Sequence, residues 1–139
     1  MKPIRQRSPF MTEEQRSIPM WILIVSGLFA LLEILVSALL YFSPQLVVET
    51  VDHSAKGVEY LINMWAARQF ALGFIFGYAT YRRSTPMLTI AYVFFLIMFV
   101  GDFFIGLSQK DTAFFISALV MCVISSAMLI ALNRNKESI

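Results

Sequence analysis

The chain has 139 residues, of which 58% are hydrophobic and only 14% charged, and its mean hydropathy is +0.71. A soluble domain carries about 25% charged and about 45 to 50% apolar residues, so composition excludes an ordinary soluble fold and points to a multi-span membrane protein. The net charge of +2 is no nucleic-acid signal, because the basic residues cluster at the ends of apolar runs; the single cysteine, Cys122, excludes an intrachain disulfide and a CxxC motif.

Residues 1–18 read as a polar tail carrying Lys2, Arg5, Arg7 and Arg16. Pro3 and Pro9 argue against one continuous helix, and Thr12-Glu13-Glu14-Gln15 has the spacing of a capping box for a short surface helix. The first apolar run, about 19–42, is long enough to span. A cleaved signal peptide is the rival reading, but the run continues past Val36-Ser37-Ala38 and contains Glu33. Ser43-Pro44 closes this span. In the connection that follows, Val47, Val51, Ala55 and Val58 have helical spacing, which predicts an amphipathic surface helix.

The second span is expected at about 61–81 and the third at about 87–107, joined by Arg82-Arg83-Ser84-Thr85-Pro86. Ser108-Gln109-Lys110-Asp111 leads to the fourth, about 113–132, with Asp111 or Thr112 available as N-cap. Residues 133–139 form a polar tail. Residues 19–132 thus make one membrane domain. With both termini inside, eight basic residues (Lys2, Arg5, Arg7, Arg16, Arg82, Arg83, Arg134, Lys136) face the cytoplasm against Lys56 and Lys110 outside. The expected fold is all-α: a transmembrane up-and-down four-helix bundle with both termini cytoplasmic. The expected location is the cell membrane of a bacterium.

Three charges interrupt the spans: Glu33 in the first, Arg68 in the second and Asp102 in the third. A charge at mid-bilayer costs on the order of 2.5 to 3.5 kcal/mol even on the lenient insertion scale, so each needs a partner or a function. Counted from the outer span ends at 1.5 Å per residue, they lie about 15, 10 and 9 Å deep, at overlapping levels. Ser26, Ala30, Glu33 and Ser37 share one face of the first span, and small or hydroxyl residues suit helix contact or a cavity. Gly73 and Gly77 form a small-xxx-small pair that seats a neighbouring helix or another subunit, so a homo-oligomer is one expectation. Two readings stay open. In the first, Arg68 lies between Glu33 and Asp102 as an ion-pair network that fixes the bundle. In the second, the three line a polar pocket open to the outer side. Two carboxylates against one guanidinium leave one of them to share a proton or to meet water or a cationic ligand, and a shared proton is also what a buried acid catalyst needs.

Trp65, Gln69 and Phe99 are further candidates for ligand contact beside Glu33, Arg68 and Asp102. Trp21, Tyr41, Tyr60, Trp65, Tyr78 and Tyr81 lie near span ends as an interfacial belt does. His53 with Glu49 and Asp52 is a poor metal set; no metal site and no cofactor are expected, and no phosphate loop, nucleophile elbow or HExxH occurs. Cys122 reads as packing, and the serines Ser117, Ser125 and Ser126 as residues that bond their own helix.

Tyr41-Phe42-Ser43-Pro44 at the end of the first span, Ala67-Arg68-Gln69 with Gly73, Arg82-Arg83 and Gly101-Asp102 together resemble the DoxX-like group of small four-helix membrane proteins, over about residues 20–132. The resemblance implies the four-helix membrane fold; no motif here carries over the quinone-linked thiosulfate oxidation of the name-giving branch. The expected function is binding of an amphipathic or hydrophobic small molecule, such as an isoprenoid, quinone, lipid or amine, in an outward-opening intramembrane pocket. Arg68 would hold an anionic or carbonyl group, and Glu33 or Asp102 a cation or proton. The rivals are an intramembrane isomerase or cyclase with Glu33 or Asp102 as catalytic acid/base, a proton-coupled transporter, and a structural subunit of a membrane complex. Membrane lipid is the expected partner throughout, and nucleic acid is not.

Overall fold

The computed structural model describes residues 18–49 and 51–137. Among them every regular element is helical: α1 (Met20–Phe42), α2 (Val58–Arg82), α3 (Thr85–Gln109) and α4 (Thr112–Glu137), with one 3-10 turn at Pro44–Leu46. The capping-box stretch at Thr12 and the basic residues of the first tail lie outside the described residues.

Each boundary has a local cause. Pro19 caps α1, and its carbonyl accepts from Ile22 N–H at 3.0 Å. At the other end Pro44 drives Ser43 out of the helical region, to φ −147° and ψ 63°, and α1 stops at Phe42. The two short turns share one design. Arg83 and Lys110 end α2 and α3 in the left-handed region, at φ 50° and 56°. The next amide of each, Ser84 and Asp111, reaches back to Ala79 O and Gly106 O. Such Schellman closures satisfy carbonyls that a helix end leaves free. Ser84 and Asp111 then cap the following helix, Ser84 Oγ accepting from Met87 N–H at 3.5 Å and Asp111 Oδ1 from Phe114 N–H at 3.1 Å.

The expected amphipathic helix between the first two spans does not form. Beyond the 3-10 turn the described chain runs as turns and bends until α2 begins at Val58, three residues before the expected start of the second span. Local side-chain bonds compete with helix here. Asp52 accepts from both the amide and the hydroxyl of Ser54, which holds its carboxyl below the usual range. His53 Nε2 donates to Val48 O at 2.9 Å, pinning the loop to itself, and Gly57 turns at φ 90°. Four apolar positions at helical spacing do not outweigh these bonds. At the C-terminal side, α4 runs to Glu137, beyond the apolar run that was expected to end at 132.

Three helices, α1, α3 and α4, are long and apolar enough to cross a membrane, with mean hydropathies of 2.5, 2.3 and 2.5. That marks the chain as an integral membrane protein. The second helix is as long but carries Glu59, Asn63, Arg68, Gln69 and Arg82, and its apolarity falls short of the other three. Leu31, Phe74, Ile97 and Val123 stand exposed along the helices. So much bare apolar surface suits lipid rather than water.

Packing is closest between α1 and α2 and between α3 and α4, with a lighter seam from α2 to α3. Glycine sets both close approaches. A Cβ on Gly73 would stand 2.6 Å from Ile34 Cγ1 and 3.0 Å from Ala30 O; one on Gly106 would stand 2.9 Å from Phe115 N. Gly73 therefore seats α1. Between the two pairs lies an aromatic core of Phe29, Phe76, Tyr92 and Phe95, with ring centroids 4.9–6.2 Å apart in tilted and edge-on arrangements. The buried Tyr92 hydroxyl is satisfied by Ser26 Oγ at 2.8 Å, a bond that also ties α3 to α1.

Candidate functional site

The face Ser26, Ala30, Glu33 and Ser37 of α1 is buried along its whole length. Ser37 Oγ donates to Ala66 O at 2.8 Å and fixes the register of α1 on α2. The same register sets Glu33 level with Gln69, since Ala30 in turn meets Gly73 and Gly77. Both polar side chains are buried. Glu33 Oε2 and Gln69 Oε1 are buried oxygens with no hydrogen-bond partner among the described residues. A buried acceptor without a donor costs about 1 to 3 kcal/mol, so two at one level of the bundle call for a reason.

Arg68 and Asp102 come together across the α2–α3 seam, Nη2 to Oδ1 at 3.8 Å. Arg68 lies ten residues into α2 and Asp102 seven residues before the end of α3. At 1.5 Å per residue they sit about 15 and 10 Å from those helix ends. Their surroundings differ: the guanidinium is 42% exposed and the carboxylate 12%. At 3.8 Å the pair is an ion pair and not a hydrogen bond.

Beside this pair opens a cavity of about 670 Å³. Its walls come from the residues after α1 (Leu46 to Glu49), from Leu61, Met64, Trp65 and Arg68 of α2, from Asp102 and Ile105 of α3, and from Asp111, Ala113 and Phe114 at the start of α4. A cavity of this size, mostly apolar with a few charges, has the make-up of a small-molecule site. It lies at the end of the bundle that holds the 43–57 connection and the α3–α4 turn.

Of the six residues picked out in the sequence, Trp65, Arg68 and Asp102 line this cavity; Glu33, Gln69 and Phe99 do not. Glu33 is only 2% exposed and makes no ion pair within 4 Å among the described residues, although it lies within electrostatic range of both Arg68 and Asp102. Arg68 thus does not bridge two carboxylates directly. Phe99 packs edge-on against Phe95, centroids 4.5 Å apart, as part of the aromatic core. The sequence reading missed Glu49, Asp111 and Phe114 as wall residues. Their signal was available: both connections fall on the side of the bundle toward which the three charges are displaced. Cys122 is half-buried and free, Ser125 bonds Met121 O of its own helix, and no group of three metal-ligating side chains occurs among the described residues.

No protein-family model matches the chain, and no curated protein or solved structure matches it either.

Proposed function

We propose that the chain crosses the membrane four times as an up-and-down bundle with both termini cytoplasmic, and that the cavity beside Arg68 and Asp102 opens outward and binds a small amphipathic molecule. Two observations support α2 as a span despite its polarity. Its buried face from Leu72 through Phe76 to Ala79 belongs to the same core as the three apolar helices, and Ile62 and Ala66 pack with Leu40 of α1. Its contacts also run opposite in sense to α1, Ser37 meeting Ala66 while Ala30 meets Gly77. The basic residues Arg82, Arg83, Arg134 and Lys136 then gather at one membrane face, as the positive-inside rule requires. This is also the architecture that the DoxX-like resemblance implies.

The observation that carries the binding reading is the cavity itself: mostly apolar walls, with the exposed Glu49 and Asp111 among them, beside an ion pair whose carboxylate is buried and whose guanidinium is open. An apolar ligand body fits the walls, and a polar head fits the pair. An isomerase or cyclase with Glu33 as its acid would need that carboxyl in the cavity wall, and of the two embedded acids only Asp102 stands there.

Native mass spectrometry of the protein released from its own membrane tests the binding reading. Wild type is expected to carry one discrete small-molecule adduct, which Ala113→Trp, filling the cavity, eliminates while leaving the helix content unchanged. If wild type and Ala113→Trp carry the same spread of bulk lipids, the binding reading is wrong.

A further inference from the structure

Resting on the pocket reading, the charge balance of the site points to the kind of molecule it takes. Among the described residues the wall holds three carboxylates, the buried Asp102 and the exposed Glu49 and Asp111, against one guanidinium, Arg68. Asp111 already has one oxygen engaged at the start of α4. The Asp102 side chain is only 12% exposed yet accepts no hydrogen bond from the described residues, and its charge partner stands off at 3.8 Å. A second observation concerns two residues that do not line the cavity. Glu33 Oε2 and Gln69 Oε1, each on a side chain more than nine-tenths buried, lack any donor among the described residues. Acceptor oxygens without a described hydrogen-bond donor thus recur at this level of the bundle. The remaining lining, Leu61, Met64, Trp65, Ile105 and Phe114, is apolar, and the indole and phenyl faces are themselves attractive to a cation.

We propose that the occupant is a lipophilic cation, an organic ammonium or similar ion, with its charge at Asp102 and its apolar body against Trp65 and Phe114. Arg68 is then not an anchor for an anion. It is the resident counter-ion of Asp102, and its exposed guanidinium swings out when the ligand enters. This assigns opposite signs to two substitutions. Losing Asp102 weakens binding, whereas losing Arg68 strengthens it by leaving the carboxylate free.

The chain contains two tryptophans, Trp21 and Trp65, so Trp21→Phe leaves Trp65 as the sole indole reporter. In that background the full-length protein in detergent is titrated with tetraphenylphosphonium and with tetraphenylborate, ions of one shape and opposite charge. The cation is expected to quench Trp65 saturably. Asp102→Asn raises the half-saturating concentration at least tenfold, Asp102→Glu keeps it within a few-fold of wild type, and Arg68→Gln lowers it. Circular dichroism of each variant checks that the helices are retained. Saturable quenching by tetraphenylborate at equal or lower concentration overturns the cation assignment and leaves the pocket reading standing, as does loss of binding in Arg68→Gln with its helices intact. Absence of saturable quenching by either ion overturns the cation assignment; if wild type also shows no discrete adduct in the native mass spectrum, the pocket reading falls with it.

Discussion

Arg68 and Asp102 share an ion pair but not an environment, and the difference has a sign. Replacing Arg68 leaves a carboxylate that is 12% exposed without its charge partner; replacing Asp102 leaves a guanidinium that is 42% exposed. A buried charge stripped of its partner costs more than an exposed one. Arg68→Gln is therefore expected to destabilise the fold more than Asp102→Asn, by on the order of 1 kcal/mol. Thermal unfolding in detergent measures the difference, and equal losses would show that burial of Asp102 is not what the pair offsets. At this scale the buried face of α1 was legible because spacing of three and four residues places Ser26, Ala30, Glu33 and Ser37 on one side of a helix. The Ser26–Tyr92 bond was not legible. It joins residues 66 apart in sequence, and nothing local to either announces the other.

Among the elements, three helix boundaries have purely local causes, while the start of α2 and the end of α4 fall outside the expected apolar runs. Ser43-Pro44, Ser84 and Asp111 act locally, through a proline that denies the helical conformation or a side chain that caps the next helix. The long connection was misread because periodicity alone favoured a helix, while Asp52, Ser54, His53 and Gly57 supply bonds and a turn that compete with it. Close helix approach is a second element-scale property, and two glycines of α3 separate it from helix propensity. Gly101 has open space where a Cβ would stand, whereas at Gly106 the Cβ would meet backbone atoms of Phe115 at 2.9 and 3.0 Å. Gly101→Ala is expected to be neutral or stabilising, by up to about 1 kcal/mol from propensity. Gly106→Ala is expected to cost about 1 to 3 kcal/mol, because the contact is with main chain that cannot rotate away. Thermal midpoints of the two variants decide it; a tolerated Gly106→Ala would mean that α3 and α4 are not held this close.

For the molecule as a whole, two closely packed helix pairs meet across an aromatic core, and the cavity lies where α2, α3 and the start of α4 part. Depth and charge placed Arg68 and Asp102 toward the same end of the bundle, where they do form an ion pair. The same signals could not give the cavity's walls, because those depend on how the irregular stretch from Leu46 to Glu49 folds back over the helices. The proposed topology has a direct consequence. In a Cys122→Ser background, single cysteines at Lys56 and Lys110 are expected to react with a membrane-impermeant maleimide on intact cells. Cysteines at Arg83 and Lys136 are expected to react only after the membrane is opened. Labelling of position 83 on intact cells would place α2 elsewhere than across the bilayer.

The central claim, that the cavity holds a particular amphipathic molecule and not merely bulk lipid, is tested most directly in the native membrane. A photoreactive benzoylphenylalanine at Ile105 faces the cavity, and the same group at Phe74 stands on an exposed position of α2 outside it. After irradiation and purification, mass spectrometry is expected to find one discrete small-molecule adduct at position 105 and the general lipid population at position 74. The same lipid population at both positions would contradict the claim.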